Sequence, residues 1–205
     1  MQNFLAIVLG YLLGSIPTGV LVARLHGGVD LTRVGSRRTG ATNVLRTLGP
    51  GAAAIAFLGD FLKGGLAVLA ARLLWPGDPW PAALAAMAAV FGHVYSPFIG
   101  FKGGRGVTTG LSGLLVLWPA AGLLAALVGL VAIIATRYVS LGSILGTTIG
   151  GVALVVGTLL YGLPPADAAF GIVIGLFIVA AHHDNIDRLL HGTERKLGQR
   201  VEQSG

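Results

Sequence analysis

The chain alternates long apolar stretches with short polar ones, and the apolar stretches have the length of membrane crossings. The first runs from about Phe4 to Ala23 and is closed by Arg24. The second runs from about Gly51 to Trp75 and carries Asp60 and Lys63 inside it. PGDPWP at Pro76–Pro81 breaks the chain, and Ala82–Phe98 is apolar again. After the Gly-rich FKGGRG, Val107–Ala135 forms an unbroken apolar run, too long for one straight crossing of ~20 residues. Two further stretches, about Val139–Tyr161 and Pro165–Ala181, are separated by LPPAD.

Composition narrows the class. Of 205 residues, 54% are apolar and only 11% charged, whereas a soluble domain carries about 25% charged residues. Mean hydropathy is +0.82 and there is no Cys. A water-soluble globular domain, a disordered chain and a disulfide scaffold are excluded. The expectation is one all-α polytopic membrane domain over residues 1–205. No signal peptide is expected, because the first span begins at once and no small-residue cleavage site follows a short apolar core. The formal net charge of +6 suits anionic headgroups or phosphorylated ligands; nucleic acid is not an expected partner. The 33 glycines fit close helix–helix approach within a membrane.

Charge sets the sidedness. Arg33, Arg37, Arg38 and Arg46 crowd the first polar segment, Lys102 and Arg105 the third loop, and Arg188, Arg195, Lys196 and Arg200 the tail. Positive residues mark the cytoplasmic side. The first loop and the tail share a side only if an even number of crossings separates them, so Val107–Ala135 is predicted to cross twice, turning near Trp118-Pro119. The count is then seven transmembrane helices, with the N-terminus outside and the C-terminus cytoplasmic. Twelve of the 14 basic residues, all but Lys63 and Arg72, then face the cytoplasm.

Polar residues gather in four segments, Gly28–Gly49, Gly92–Gly110, Arg137–Ile144 and His182–Lys196, and the topology places all four at one membrane face. In the first, small and hydroxyl residues alternate with Arg37, Arg38 and Arg46, as an anion site requires. In the second, Gly103, Gly104 and Gly106 surround Arg105 ahead of an apolar run, so free N–H groups and a helix dipole are expected to cradle phosphate. This is not a Walker loop, since the G-x-x-x-x-G-K-[ST] spacing is absent. His182 and Asn185 stand three apart and share a face if the last helix continues. Asp60 and Lys63 are read as a buried pair propping the site. No metal site is expected, with no Cys and no clustered ligand residues.

These segments carry a family resemblance. GSIPTG (Gly14–Gly19), GATNVLRTLG (Gly40–Gly49), DFLKG (Asp60–Gly64), Gly92-His93, FKGGRGV (Phe101–Val107), YVSLGSI (Tyr138–Ile144) and H-x-x-N-I-x-R-L-L-x-G-T-E-x-K from His182 occur in that order. The chain resembles, nearly end to end, the bacterial acyl-phosphate:glycerol-3-phosphate acyltransferases. The resemblance implies seven transmembrane helices in the plasma (inner) membrane with the active site on its cytoplasmic face. It also implies phosphate sites for glycerol 3-phosphate and a fatty acyl phosphate. By position, Ser36, Asn43 and Arg46 belong to one phosphate-binding motif, Lys102, Gly103, Gly104 and Arg105 to the next, Ser143 to the third, and His182 and Asn185 to the last. Three positions depart: Arg37-Arg38 follow Gly35-Ser36 where the family reads Gly-Asn, Arg105 replaces a Lys, and His183 replaces an Arg. His182 with Asp187 also makes a chance H-x4-D, the signature of a different acyltransferase superfamily, and Asp187 is read as a decoy.

The implied reaction moves a fatty acyl group from acyl phosphate to the 1-hydroxyl of glycerol 3-phosphate, giving lysophosphatidic acid and phosphate. No cofactor and no obligate protein partner is expected beyond membrane lipid. Either His182 or the substrate's own phosphate takes the hydroxyl proton. The main rival is a transporter of a phosphorylated metabolite, which needs polar residues through the full membrane depth. A CDP-alcohol phosphotransferase needs several aspartates on adjoining helix turns, and Asp60 stands alone.

Overall fold

The computed structural model describes residues 1–199, and among these the regular structure is entirely helical. Arg200, one of the tail's positive charges, lies outside the described residues.

The first apolar stretch is two helices, α1 (Gln2–Ser15) and α2 (Thr18–Leu25). Pro17 has no N–H for Leu13 O, which takes the Ile16 N–H at 3.3 Å instead, so the helix breaks there and the Ile16 carbonyl, outside the ladder, accepts the Thr18 N–H at 3.0 Å. Lys63 Nζ also donates to that carbonyl at 2.9 Å. Within the first polar segment lies a short helix, α3 (Ala41–Leu48), which the apolar reading did not resolve. Its apolar residues, Val44 foremost, pack against Leu31 and the Ala-rich start of α4 (Pro50–Leu74). Helix α5 (Pro79–Val94) opens on Asp78, whose carboxylate accepts the Trp80 N–H at 3.0 Å, and a 3-10 turn at Pro97–Ile99 follows it.

Val107–Ala135 is broken at Trp118 into α6 (Val107–Leu117) and α7 (Pro119–Thr136), where the turn was expected. Arg72 from α4 stabilises the break. Its Nη1 donates to Val116 O at 2.8 Å and its Nη2 to Leu117 O at 3.1 Å, satisfying carbonyls that the end of α6 exposes. Helices α8 (Val139–Tyr161), α9 (Pro165–Ala180) and α10 (His183–Leu190) complete the chain. By length and composition five segments suffice to cross a membrane, and α9 with α10, bent by 57°, makes a sixth. The 11 residues of α6 reach only roughly 16 Å, about half of a hydrocarbon core.

Small residues set the spacing of the bundle. Gly10 and Gly14 of α1 lie against the backbone of Ala85 and Ala89 in α5, and a Cβ at either glycine would overlap it. Such contacts replace the hydrophobic effect, which lipid cannot supply. Large side chains instead point outward: Phe4, Leu58, Leu127, Ile134 and Leu159 are all exposed, as befits a surface solvated by lipid.

Candidate active site

The four polar segments converge at the end of the bundle where α2, α5 and α7 finish and α4, α6 and α8 begin. They line one cavity of about 510 Å³. Its head is polar, with Ser36, Arg38, Arg46, Arg105, His182 and Asn185 in the wall. It continues between α6, α7, α8 and α9 as a groove walled by Leu111, Leu114, Leu130, Phe170 and Ile174.

Asn43 builds the first wall. Its Oδ1 accepts the Ser36 N–H at 3.0 Å, and its Nδ2 donates to the carbonyls of Leu31 (3.3 Å), Val34 (3.1 Å) and Arg38 (2.8 Å). The amide is thus committed to the loop, so Asn43 shapes the wall that Ser36 and Arg38 present. Gly35 (φ +60°) lies so close to Asn43 Oδ1 that a Cβ would collide with it. Arg37, one of the positions that depart from the resembled motif, adopts φ +56°. A side chain in this region costs about 1–2 kcal/mol, and the greater unfolded-state freedom of glycine offsets part of that. Arg37→Gly is therefore expected to raise stability by up to about 1 kcal/mol, read as a higher melting temperature in detergent. A lower melting temperature would show that the arginine side chain makes up for its backbone. Arg46 faces the cavity from α3. Its Nη2 reaches Arg195 O at 3.4 Å, while its Nε is buried without a hydrogen-bond partner.

The second loop corrects the phosphate-cradle expectation. The N–H groups of Gly103 and Gly104 are not free: they donate to Val94 O (3.0 Å) and His93 O (3.2 Å). These positions are glycine because α5 is too near. A Cβ on Gly103 would strike the His93 carbonyl, and one on Gly104 would strike the His93 ring at Nε2. Val107 and Thr108 line the cavity in the first turn of α6, whose N–H groups have no partner within the helix, after Gly106 has turned the chain at φ +84°. Lys102 is exposed and, with Gly103, stands outside the cavity lining. Arg105 is held as a fork, its Nη2 2.9 Å from both carboxylate oxygens of Asp184 and its Nε 3.1 Å from Ala181 O. Burial pushes the Asp184 carboxyl up, but the bond and charge of Arg105 outweigh it and hold the group below its ordinary value.

The third wall is the bend between α9 and α10. The helix is broken at His182, so the condition for a shared helix face is not met, yet both His182 and Asn185 line the cavity. Glu194, which the sequence reading passed over inside G-T-E-x-K, ties this wall together. Its Oε1 accepts Ser140 Oγ (2.8 Å) and Asn185 Nδ2 (2.7 Å), and its Oε2 accepts Arg188 Nε (2.7 Å). Burial works against the carboxylate, and these bonds hold it below its ordinary value. Asn185 Oδ1 is left buried with no partner. Ser143 lines the cavity, with its hydroxyl donating to Val139 O at 2.8 Å. Asp187 is exposed and outside the lining.

His182 Nδ1 sits 2.7 Å from Ile178 O, so that nitrogen carries the proton and Nε2 is the bare one. Burial, reinforced by the charge of Arg105 and only partly offset by the Ile178 bond, pushes its pKa down from 6.5 to about 4. The imidazole is therefore neutral at working pH. In the unfolded chain it takes up a proton near 6.5, whereas the folded one resists until about 4. Stability should thus fall as pH drops from 6.5 towards 4, by on the order of 3 kcal/mol. His182→Gln should flatten that slope above the carboxylate range; the same slope in the variant would assign it elsewhere.

The fourth wall is deep. Asp60 Oδ1 accepts Lys63 Nζ at 2.8 Å, His93 Nδ1 lies at 3.3 Å, and Thr18 Oγ1 donates to the same oxygen. Thr109 Oγ1 reaches the Asp60 carbonyl at 3.0 Å. The pair read from sequence is thus a four-residue cluster. Two of its members, Asp60 and His93, reach the cavity. His93 was visible in sequence only as a Gly-His dipeptide.

Comparison with known proteins shows the family. The profile of a family described as "Glycerol-3-phosphate acyltransferase" matches residues 4–192. The chain is 48% identical over 196 residues to a glycerol-3-phosphate acyltransferase of Thermus thermophilus, covering 96% of each chain. It is 45% identical over 201 residues to glycerol-3-phosphate acyltransferase 1 of Deinococcus radiodurans, covering 98% of each. The crystal structure of PlsY (YgiH), an integral membrane glycerol 3-phosphate acyltransferase in its glycerol 3-phosphate form, superposes with a TM-score of 0.88 at 39% identity, over 97% of this chain and 96% of that one. Its lysophosphatidic acid form gives 0.86 at 38% identity over the same shares. With that extent of identity and a shared fold, the chain belongs to the glycerol-3-phosphate acyltransferase family.

Proposed function

We propose that this enzyme transfers a fatty acyl group from acyl phosphate to the 1-hydroxyl of glycerol 3-phosphate, releasing lysophosphatidic acid and phosphate. The observation that carries the reading is a single cavity whose cationic head opens into an apolar groove. A molecule with a charged phosphate and a long acyl tail fits both halves. A transporter needs a polar path onward, and here Leu114, Phe170 and Ile174 wall the groove instead.

Arg46, Arg38 and Ser36 hold one phosphate; Arg105, the first turn of α6 and His182–Asn185 face the other. Both reactants are then fixed side by side, and alignment of this kind is worth up to ~7–11 kcal/mol of the barrier. Guanidinium groups and N–H dipoles stabilise charge developing on the carbonyl and the leaving phosphate. Neutral His182 offers Nε2 as acceptor to the attacking hydroxyl. With a pKa of about 4 it is a weak base, so a substrate phosphate is the better final home for the proton. The acyl group passes directly to glycerol 3-phosphate: the chain has no Cys, and Ser143 is bonded to its own helix, with no His–carboxylate pair behind it among the described residues.

The enzyme crosses the plasma membrane seven times, N-terminus outside, with the cavity opening to the cytoplasm. The positive-inside distribution supports this parity. Helix α6 supplies the seventh crossing together with the irregular turn before it, tolerated at membrane depth because it lines the cavity. Labelling of an N-terminal and a C-terminal tag from opposite sides agrees with this; labelling from the same side contradicts it. The function itself is tested with purified protein in detergent, glycerol 3-phosphate and either palmitoyl phosphate or palmitoyl-CoA. Lysophosphatidic acid from the phosphate alone is expected, and comparable turnover with the CoA ester would overturn the donor assignment.

A further inference from the structure

We propose that the apolar groove is a closed pocket whose depth limits the acyl chain the enzyme accepts, with Leu114 and Phe170 as its floor and Gly175 keeping its middle open; this rests on the acyl-transfer reading above. Two helices present single faces to the groove. On α8 the lining positions Ser143, Thr147 and Gly151 lie a turn apart, and on α9 so do Gly171, Gly175 and Ile178. Ser143 stands beside the polar head. Gly151 comes eight residues later, roughly 12 Å deeper at ~1.5 Å per residue. One leaflet of a hydrocarbon core is about 15 Å thick. A leaflet-length acyl chain with its phosphate at the head therefore reaches the depth of Gly151.

At that depth the helices close on one another. A Cβ on Gly150 would meet Leu114 Cδ2 of α6 at 2.6 Å and Ala125 Cβ of α7 at 2.9 Å, and one on Gly151 would meet the Gly171 carbonyl oxygen of α9 at 2.7 Å. Phe170 reaches from α9 towards α6, its Cζ 3.8 Å from where a Cβ on Gly113 would stand. Leu114 and Phe170 are 5% and 3% exposed, so the deep end is shut off from lipid. Leu117 and Leu154, also buried, belong to the same packed core. A tail that reaches this floor has no straight way onward. Gly175 differs from the glycines at the floor. It lines the groove one turn nearer the head than Gly171, yet a Cβ there would meet nothing within 4 Å. Close helix approach explains Gly150, Gly151 and Gly171 but not this position, and its backbone is ordinary helix. The missing side chain leaves space where the middle of an acyl chain would lie.

The test uses alkyl phosphates, which carry a phosphate head and a tail but no acyl group to transfer, and reads the concentration that half-protects the purified protein against thermal unfolding. In Gly175→Leu that concentration should rise about tenfold for hexadecyl phosphate, the cost of overfilling a packed space. Butyl phosphate, too short to pass Gly175, should keep its wild-type value. Wild type should bind octadecyl phosphate no more tightly than hexadecyl phosphate. Leu114→Ala opens the floor and should shift the preference towards octadecyl; Phe170→Leu, a milder change at the same floor, should do the same and serves if L114A does not fold. Each comparison is a ratio within one protein, so a general loss of stability does not move it. Equal effects on butyl and hexadecyl phosphate in G175L, or an unchanged preference in the floor variants, would overturn the pocket and leave the tail in lipid. Turnover of the matching acyl phosphates tests the parent reading separately. If none yields lysophosphatidic acid, acyl transfer fails while the alkyl phosphate profile still decides on the pocket. If all proteins bind and turn over every chain length in the same proportions, the pocket is refuted although acyl transfer stands.

Discussion

Asp60→Ala should destabilise the protein by roughly 3–5 kcal/mol, because removing one partner of a buried ion pair leaves the other charge uncompensated. Lys63 is 5% exposed, inside a transmembrane helix, and would keep only the Ile16 carbonyl and whatever water reached it. Thr18 and His93 would lose their acceptor as well, so the α1–α2 break and the end of α5 would both loosen. A second variant separates charge from packing. If the orphaned ammonium is the cause, Asp60→Asn combined with Lys63→Met should melt higher than Asp60→Asn alone, although it has lost one more native side chain. Melting curves in detergent decide this. A double variant that melts lower than the single one would show that Asp60 acts by packing, not by charge.

Arg46→Ala should reduce kcat/KM by a factor of roughly ten to a hundred, from the loss of one or two charge-assisted bonds of about 1.5–3 kcal/mol each. Its guanidinium faces the cavity with Nε buried and unpartnered, a poor state for a cation unless an anion completes it. Arg46→Lys should recover only part of the loss, since an ammonium cannot bind two phosphate oxygens as a planar fork does. The effect should appear in the KM of one phosphorylated substrate. Lys102→Ala is the internal contrast. Sequence reading gave it equal standing, but the side chain is exposed and outside the cavity, so a smaller change is expected. Equal losses at both positions would mean that the loop bearing Lys102 closes over bound substrate.

What could be read in the sequence follows from whether a property is local. The bounds of α8 and the division of Val107–Ala135 at Trp118 were legible, because hydropathy and Pro119 are written in consecutive residues. The break at Pro17 was equally local but lay inside an apolar run whose length already sufficed for a crossing. Helix α3 was hidden because Thr42, Asn43, Arg46 and Thr47 outweigh the Ala41–Val44–Leu48 stripe when a segment is read as a loop. The site was legible as four segments at one face, and not as bonds. Gly103 and Gly104 look like a phosphate cradle until the His93 and Val94 carbonyls are seen against their N–H groups. Asn43 lines the cavity as its motif implies, but that its side-chain amide holds the loop could not be read from the spacing. Glu194 and His93 drew no attention because their importance comes from partners 54 residues away at Ser140 and on another helix at Asp60.

The central claim is that two phosphorylated substrates meet in one cavity and the acyl group passes between them without resting on the protein. Acyl-labelled palmitoyl phosphate, incubated with the purified enzyme and quenched by denaturation before and after addition of glycerol 3-phosphate, tests it most directly. No label is expected on the protein at either time, and label in lysophosphatidic acid only after glycerol 3-phosphate is added. A stoichiometric acyl adduct on Ser36 or Ser143, formed first and discharged by glycerol 3-phosphate at the turnover rate, would contradict direct transfer and make that serine a nucleophile.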